Sequence, residues 1–197
     1  MPAVIESNKQ KLNISNIISE LIWHISSCFN SFSHIDRNRI LVCIGTNRSQ
    51  GRGGIYGKLV PLKFKDGSDM LKFRGKHYAM PSIIDNGIPL LYVLYFYTPK
   101  FFNLPAFEKI RIIFHELYHI SPEFNGDIRR MGKVKQAHGS SRKRFDSNFE
   151  KDAGIFFKRI SNTGYMDFLN MDSRSMQKEY RVYARRMKIP RPVIIDI

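Results

Sequence analysis

The sequence predicts an α+β fold in which a small mixed or antiparallel sheet packs against helices, one of which carries His115-Glu116-Leu117-Tyr118-His119. Two kinds of pattern predict it. Three short aliphatic or aromatic runs bounded by glycine or proline read as strands. Several longer segments repeat apolar residues every three or four positions and read as amphipathic helices. A chain of 197 residues with 43% hydrophobic and 25% charged content is long enough to bury a core without metal or disulfide staples.

Ile14, Ile17, Ile18, Leu21, Ile22 and Ile25 give residues 12 to 30 the spacing of a first helix. Arg39 to Ile44 is short and aliphatic, ends at Gly45, and predicts a buried strand. Gly51 to Gly57 lacks the strand-helix setting and the terminal Lys-Ser/Thr of a phosphate loop, so a hairpin loop is expected rather than a nucleotide site. Ile55 to Phe64 alternates well enough for a second strand, with Asp66-Gly67 as a turn, and Leu90 to Tyr97 between Pro89 and Pro99 forms a third.

A helix is expected from Asn103 as cap, with Pro105 and Glu108 in its first turn, to Ser121-Pro122. Phe107, Ile110, Phe114 and Leu117 form its core stripe, while His115 and His119 lie a turn apart on another face. Helical spacing returns over Phe145 to Ile160. A last helix is expected over about 174 to 188, with Met176, Tyr180, Tyr183 and Met187 on one side. The division expected is a domain over 1–150 that carries this helix and a basic helical extension over 151–197, packed on the same domain or appended to it.

Cys28 and Cys43 sit in apolar patterning without ligand spacing and read as reduced core residues. The first apolar segment is interrupted by Asn16, Glu20 and His24, unlike an export signal, and no run approaches the ~18 apolar residues that span a bilayer. A cytoplasmic protein with no membrane partner is the expectation. The net charge of +15 favours polyanions at long range. Much of it lies in two stretches, Arg129, Arg130, Lys133, Lys135, Arg142, Lys143 and Arg144, and Arg181, Arg185, Arg186, Lys188 and Arg191. A solvated face and a nucleic-acid surface both fit these stretches.

The chemistry centres on the helix from Asn103. Histidines four residues apart project from one helix face and can offer two nitrogens to one tetrahedral zinc ion, with Glu116 beside them to hold the attacking water and carry its proton. An H-E-x-x-H segment arises by chance in only about one chain in a hundred of this length. A catalytic zinc keeps three protein ligands and one open position, so a third must come from elsewhere. His138, Glu123, Asp127 and Asp146 are the downstream candidates, and His138, followed by Gly139, is preferred because imidazole suits zinc.

The stretch His115-Glu-Leu-Tyr-His-Ile-Ser-Pro-Glu-Phe-Asn-Gly-Asp-Ile-Arg-Arg-Met, with Ala137-His138-Gly139 after it, resembles the putative phage metallopeptidase family in its H-E-L-x-H-I, F-x-G-x-x-R and H-G blocks. A looser likeness runs upstream through Ile35-Asp36 to the Arg48 region and Tyr97-Thr98-Pro99-Lys100-Phe101, so roughly residues 15 to 150 are covered. The resemblance implies a zincin-like fold, metal ligands at His115, His119 and His138, and a catalytic glutamate at Glu116. It also picks out Phe124, Gly126 and Arg129. Gly126 would permit a turn, and Arg129 would bind a carboxylate, steady a developing oxyanion or simply be solvated. The lysine-rich segment before His138 and the basic C-terminal part depart from the pattern.

These features predict a zinc-dependent metallopeptidase acting on a protein or peptide, with Glu116 as general base. A zinc amidase for a small substrate, and a basic nucleic-acid-associated protein with a structural or non-proteolytic zinc, are the alternatives. The run Leu91 to Tyr97 could be either the edge on which a substrate pairs or a buried core strand. The sequence leaves the oligomeric state open.

Overall fold

A computed structural model describes residues 9–46, 55–132, 137–139 and 141–196. The predicted loop at Gly51 to Gly57 lies largely outside these residues, as do Lys133 and Lys135. The architecture is α+β, with small sheets packed against helices. No helix among the described residues is long and apolar enough to cross a membrane.

Asn13 ends a short strand β1 (Lys11–Asn13) and caps helix α1 (Ile14–Cys28) by accepting from Asn16 N–H. Ile14, Ile18, Leu21, Ile22 and Ile25 form its buried face, as the spacing predicts. The central sheet has β2 (Ile40–Thr46) parallel to β8 (Tyr92–Thr98), and β3 (Gly57–Pro61) antiparallel to β8 on the other side. Leu91 to Tyr97 is therefore no substrate edge. Its strand is paired on both sides and buried on both faces, which explains why so many of its residues are apolar or aromatic. The edges of this sheet are β2, which is met by Arg185 C=O at Ile44, and β3, which faces the cleft.

Between β3 and β8 the chain makes two hairpins that the pattern reading leaves unassigned. Strands β4 (Met70–Phe73) and β5 (Lys76–Ala79) are joined by Arg74-Gly75, and β6 (Ile84–Asp85) and β7 (Ile88–Pro89) by Asn86-Gly87. Both central residues of each turn have positive φ, the requirement of a type I′ connection, and Asn-Gly is its strongest sequence signal.

Helix α2 (Ala106–Tyr118) starts three residues after the predicted cap. Pro105 precedes its first turn, and Asn103 instead accepts from the backbone and hydroxyl of Ser173. The helix also ends early, placing His119 at its C-terminal cap. Ile110, Ile113, Phe114 and Leu117 enter the main core, while Phe107 is only partly buried.

Phe145 to Ile160 is interrupted rather than one helix. A five-residue α3 (Arg142–Asp146) and α4 (Glu150–Ile160) are separated at Ser147 to Phe149, which lets Phe145, Phe149 and Phe156 all face the core. After α5 (Tyr165–Asn170), helix α6 (Ser173–Glu179) is far shorter than predicted. From Tyr180 the chain is extended because its backbone has partners: β9 (Arg181–Tyr183) pairs in parallel with β1, and Arg185 C=O accepts from Ile44 N–H. The tyrosines and arginines that mimic a helical stripe are thus strand and strand-flanking residues. A final strand, β10 (Val193–Ile195), pairs with β5. Cys43 is buried and Cys28 half-buried, and both are free thiols.

Candidate metal centre

Helix α2 places His115, Glu116 and His119 at the floor of a cleft of about 550 Å³ lined by Gly57, Lys58, Leu59 and Pro61 of β3, by Ile112 and Ile128, and by His138 and Arg142. After His119 the chain turns back sharply. Ile120 bridges Ile128, and Arg129 N–H donates to His119 C=O. The turn is fastened to the central strand by Tyr92, whose hydroxyl donates to Asp127 C=O and accepts from Gly126 N–H, both at 2.9 Å. Gly126 has φ +87, and a Cβ there would lie 2.5 Å from Lys63 Cγ, so the close approach requires glycine.

His138 lies over the helix. Gly139, at φ +62, makes the turn possible against the Met131 backbone, which accounts for the His-Gly pair read in the sequence. Nε2 of His115 then lies 3.2 Å from Nε2 of His119 and 3.1 Å from Nε2 of His138. A tetrahedral zinc with bonds of about 2.0–2.1 Å separates two of its nitrogen ligands by roughly 3.3–3.4 Å, so three imidazoles at this spacing fit one first-row divalent ion.

The protonation pattern leads to the same fit. His115 Nδ1 lies 2.8 Å from Asp146 Oδ1 and donates to it, which leaves a lone pair on the Nε2 of the neutral ring. One lone pair cannot accept from two N–H donors, whereas a shared cation accepts the lone pairs of all three Nε2 atoms. Burial lowers the pKa of all three histidines. For His115 this is opposed by Asp146, and for His119 it is reinforced by His115, His138 and Arg142 to give about 3. Neutral imidazole is the ligand form.

Beneath the three rings lies Phe145, fully buried, with centroids 4.6 Å from His119, 5.0 Å from His138 and 5.1 Å from His115. This apolar floor limits the rings' freedom and excludes water from their far side. Behind it Asp146 is placed by Arg142, with Nε 3.8 Å away, and by Arg111, which also bonds Glu108 and Glu150. Carboxylates that receive the second nitrogen of a metal-binding histidine fix its tautomer and orientation.

Glu116 turns the other way, towards β3. Its Oε2 accepts from Leu59 N–H at 2.9 Å, and a Cβ on Gly57 would lie 2.8 Å from its Cγ and 2.9 Å from its Oε1. Burial raises its pKa to about 7, opposed by the Leu59 N–H and the Arg142 charge, so at neutral pH it can accept and release a proton.

Of the four candidates for the third nitrogen or oxygen, only His138 reaches the cluster. Asp146 acts on His115 from behind. Asp127 is taken up by the backbone of Asp66 and Ile128 and by Arg130. Glu123 accepts from Asn125. Arg129, a candidate for oxyanion binding, faces elsewhere: its guanidinium stacks 4.2 Å from the Tyr118 ring and donates to Tyr118 C=O. The described cations that line the cleft are Lys58 and Arg142. Phe145 and Asp146 carried no local sequence signal for these roles, nor did Gly57.

A family model described as putative phage metallopeptidase matches residues 10–144. The chain belongs to that family. For a putative phage metallopeptidase the matched span takes in the three histidines and Glu116, and stops just before Phe145 and Asp146. No curated protein and no solved structure matches the chain.

Proposed function

We propose that this putative phage metallopeptidase is a zinc-dependent hydrolase of peptide bonds, with His115, His119 and His138 holding the ion and Glu116 acting as general base. The observation that carries the reading is the convergence of three neutral imidazole nitrogens beside a buried carboxylate of raised pKa in one open cleft.

A zinc ion held there would polarise the scissile carbonyl and acidify the attacking water. Glu116 then accepts the water proton and returns it to the leaving nitrogen. Its proximity to neutral pH in proton affinity makes both transfers accessible. Phe145 and Asp146 keep the ligand rings fixed while this happens. The substrate lies along β3. Tyr97 N–H donates to Tyr56 C=O and Leu62 N–H to Leu91 C=O, so alternate residues Gly57, Leu59 and Pro61 direct their backbone groups away from β8, toward the cleft side. Leu59 N–H is held by Glu116 and Pro61 has none, so an extended peptide there would pair through Gly57 N–H and the carbonyls of Gly57, Leu59 and Pro61 and run past the histidines, with Lys58 and Arg142 favouring acidic side chains.

Elemental analysis of protein purified without a metal-affinity tag tests the site, and digestion of unfolded casein followed by mass spectrometry tests the activity. The expected result is about one zinc per wild-type chain, strong loss in His115→Ala and His138→Ala, and cleavage that chelator abolishes and zinc restores. Glu116→Gln should retain zinc and lose cleavage. A chain that takes up no zinc when supplied with it, or a Glu116→Gln variant that cleaves at the wild-type rate, would refute the proposal.

A further inference from the structure

The β4–β5 hairpin stands apart from the cleft and from the core. From Met70 to Lys76 every residue is exposed, and nothing lies within 4 Å of where a Cβ on Gly75 would project. Strand β10 covers β5 only along His77 to Ala79, so the end of the hairpin, Lys72 to Lys76, is a two-stranded ribbon. It carries Lys72, Arg74 and Lys76 within five residues, and among the described residues none of the three has a carboxylate partner. Phe73 lies between them, 53% exposed, with the Arg74 guanidinium 5.2 Å from its ring centre.

The two basic stretches conspicuous in the sequence are occupied in part. Arg129 stacks on Tyr118, while Arg130, Arg142 and Arg185 pair with Asp127, Asp146 and Asp85. Lys143, Arg144, Arg186, Lys188 and Arg191 are also exposed without a carboxylate partner among the described residues, but only the hairpin sets its three cations around an exposed ring on a projecting ribbon. The three cations oppose pairing of the exposed β4 edge with a second copy of itself.

We propose that this hairpin is a docking element for double-stranded DNA, entering a groove with Lys72, Arg74 and Lys76 on the flanking phosphates and Phe73 against sugar or base. A two-stranded ribbon fits the major groove, which is about 12 Å wide. The charge matches the duplex backbone, and the protein's net charge of +15 draws it there. Single strands are held in concave basic grooves lined with stacking rings, and a convex ribbon offers no such groove. The proposal is independent of peptide hydrolysis.

Fluorescence anisotropy of a labelled 20-base-pair duplex, titrated with the full chain from 50 to 200 mM salt, tests it. Three phosphate contacts contribute about 2.7 to the slope of log affinity against log salt, so across that range wild type should lose about 40-fold more affinity than the triple variant Lys72→Gln/Arg74→Gln/Lys76→Gln. Phe73→Ala should weaken binding several-fold without changing the slope. A control with the same charge loss on exposed helical positions, Lys151→Gln/Lys158→Gln/Lys178→Gln, should keep the wild-type slope, and thermal melting should show all variants folded. Equal losses in the control and hairpin variants, tighter binding of the single strand than the duplex, or no duplex binding by wild type at 50 mM salt would each overturn the proposal. So would a dimer that Phe73→Ala dissociates, which would assign the hairpin to a second copy of the chain.

Discussion

Replacing Asp146 with asparagine and with alanine should weaken zinc binding in that order, without touching a ligand. His115 donates from Nδ1 to Asp146 Oδ1 over 2.8 Å, and the geometry permits the carboxylate to hold the ring in the tautomer whose Nε2 faces His119 and His138. Asparagine retains an acceptor oxygen but not the charge. A charge-assisted hydrogen bond contributes about 1.5–3 kcal/mol and a neutral one about 0.5–1.5, so the difference is roughly 1.4 kcal/mol, or tenfold in affinity. Alanine removes the acceptor as well and frees the tautomer, for a loss nearer 100-fold, the upper end of what such partners contribute. Arg111 stays anchored by Glu108 and Glu150 in both variants, so the surrounding surface should hold. Competition against a chromogenic zinc chelator measures the affinities, with urea unfolding of the zinc-free proteins as the check on folding. Affinities within twofold of wild type for both variants would refute the reasoning, as would an asparagine variant weaker than the alanine one.

Gly57→Ala puts a methyl group against Glu116 Cγ and Oε1, so the carboxylate must shift; turnover of casein should fall about 10²-fold with zinc content unchanged. Phe145→Ala empties the space beneath all three histidines and should cost ~3–5 kcal/mol in chemical denaturation. Lys109 is buried, donates to the Leu169 and Met171 carbonyls, and has its pKa lowered to about 8 by burial. Between pH 8 and the ordinary lysine value of 10.5 the unfolded chain keeps a proton that the folded chain has lost, so this group makes stability rise with pH across that window. Urea midpoints at pH 7.5 and 9.5 should show the rise in wild type and a smaller one in Lys109→Met.

The parts of the site legible in the sequence are those set by local periodicity. The i, i+4 spacing of His115 and His119 fixes their common face whatever surrounds the helix, and the His138-Gly139 pair marks a turn that only a residue tolerant of positive φ makes readily. Phe145 reads as one apolar position among several, because nothing local shows that its ring meets three imidazoles. The Gly57–Glu116 contact joins residues 59 apart in the chain and depends on the register of β3 against β8. The same limit explains the last segment: Tyr180 and Tyr183 fit a helical stripe, but the distant backbone of β1 draws them into an extended conformation. Asn86-Gly87 was legible as a hairpin and is absent from the predicted elements, a miss of local turn chemistry rather than of tertiary context.

The parallel pairing of Lys11–Asn13 with Arg181–Tyr183 gives the molecule a clasp whose two halves lie at opposite ends of the described chain. Phe114, one position before the first histidine, packs on Phe149 and Phe156, and Lys109 is bonded to carbonyls at 169 and 171. A nascent chain released only as far as His138 therefore lacks the surfaces that hold the helix of His115, Glu116 and His119 in place. On the proposed function, hydrolysis would begin only after the chain through Met171 has folded against that helix.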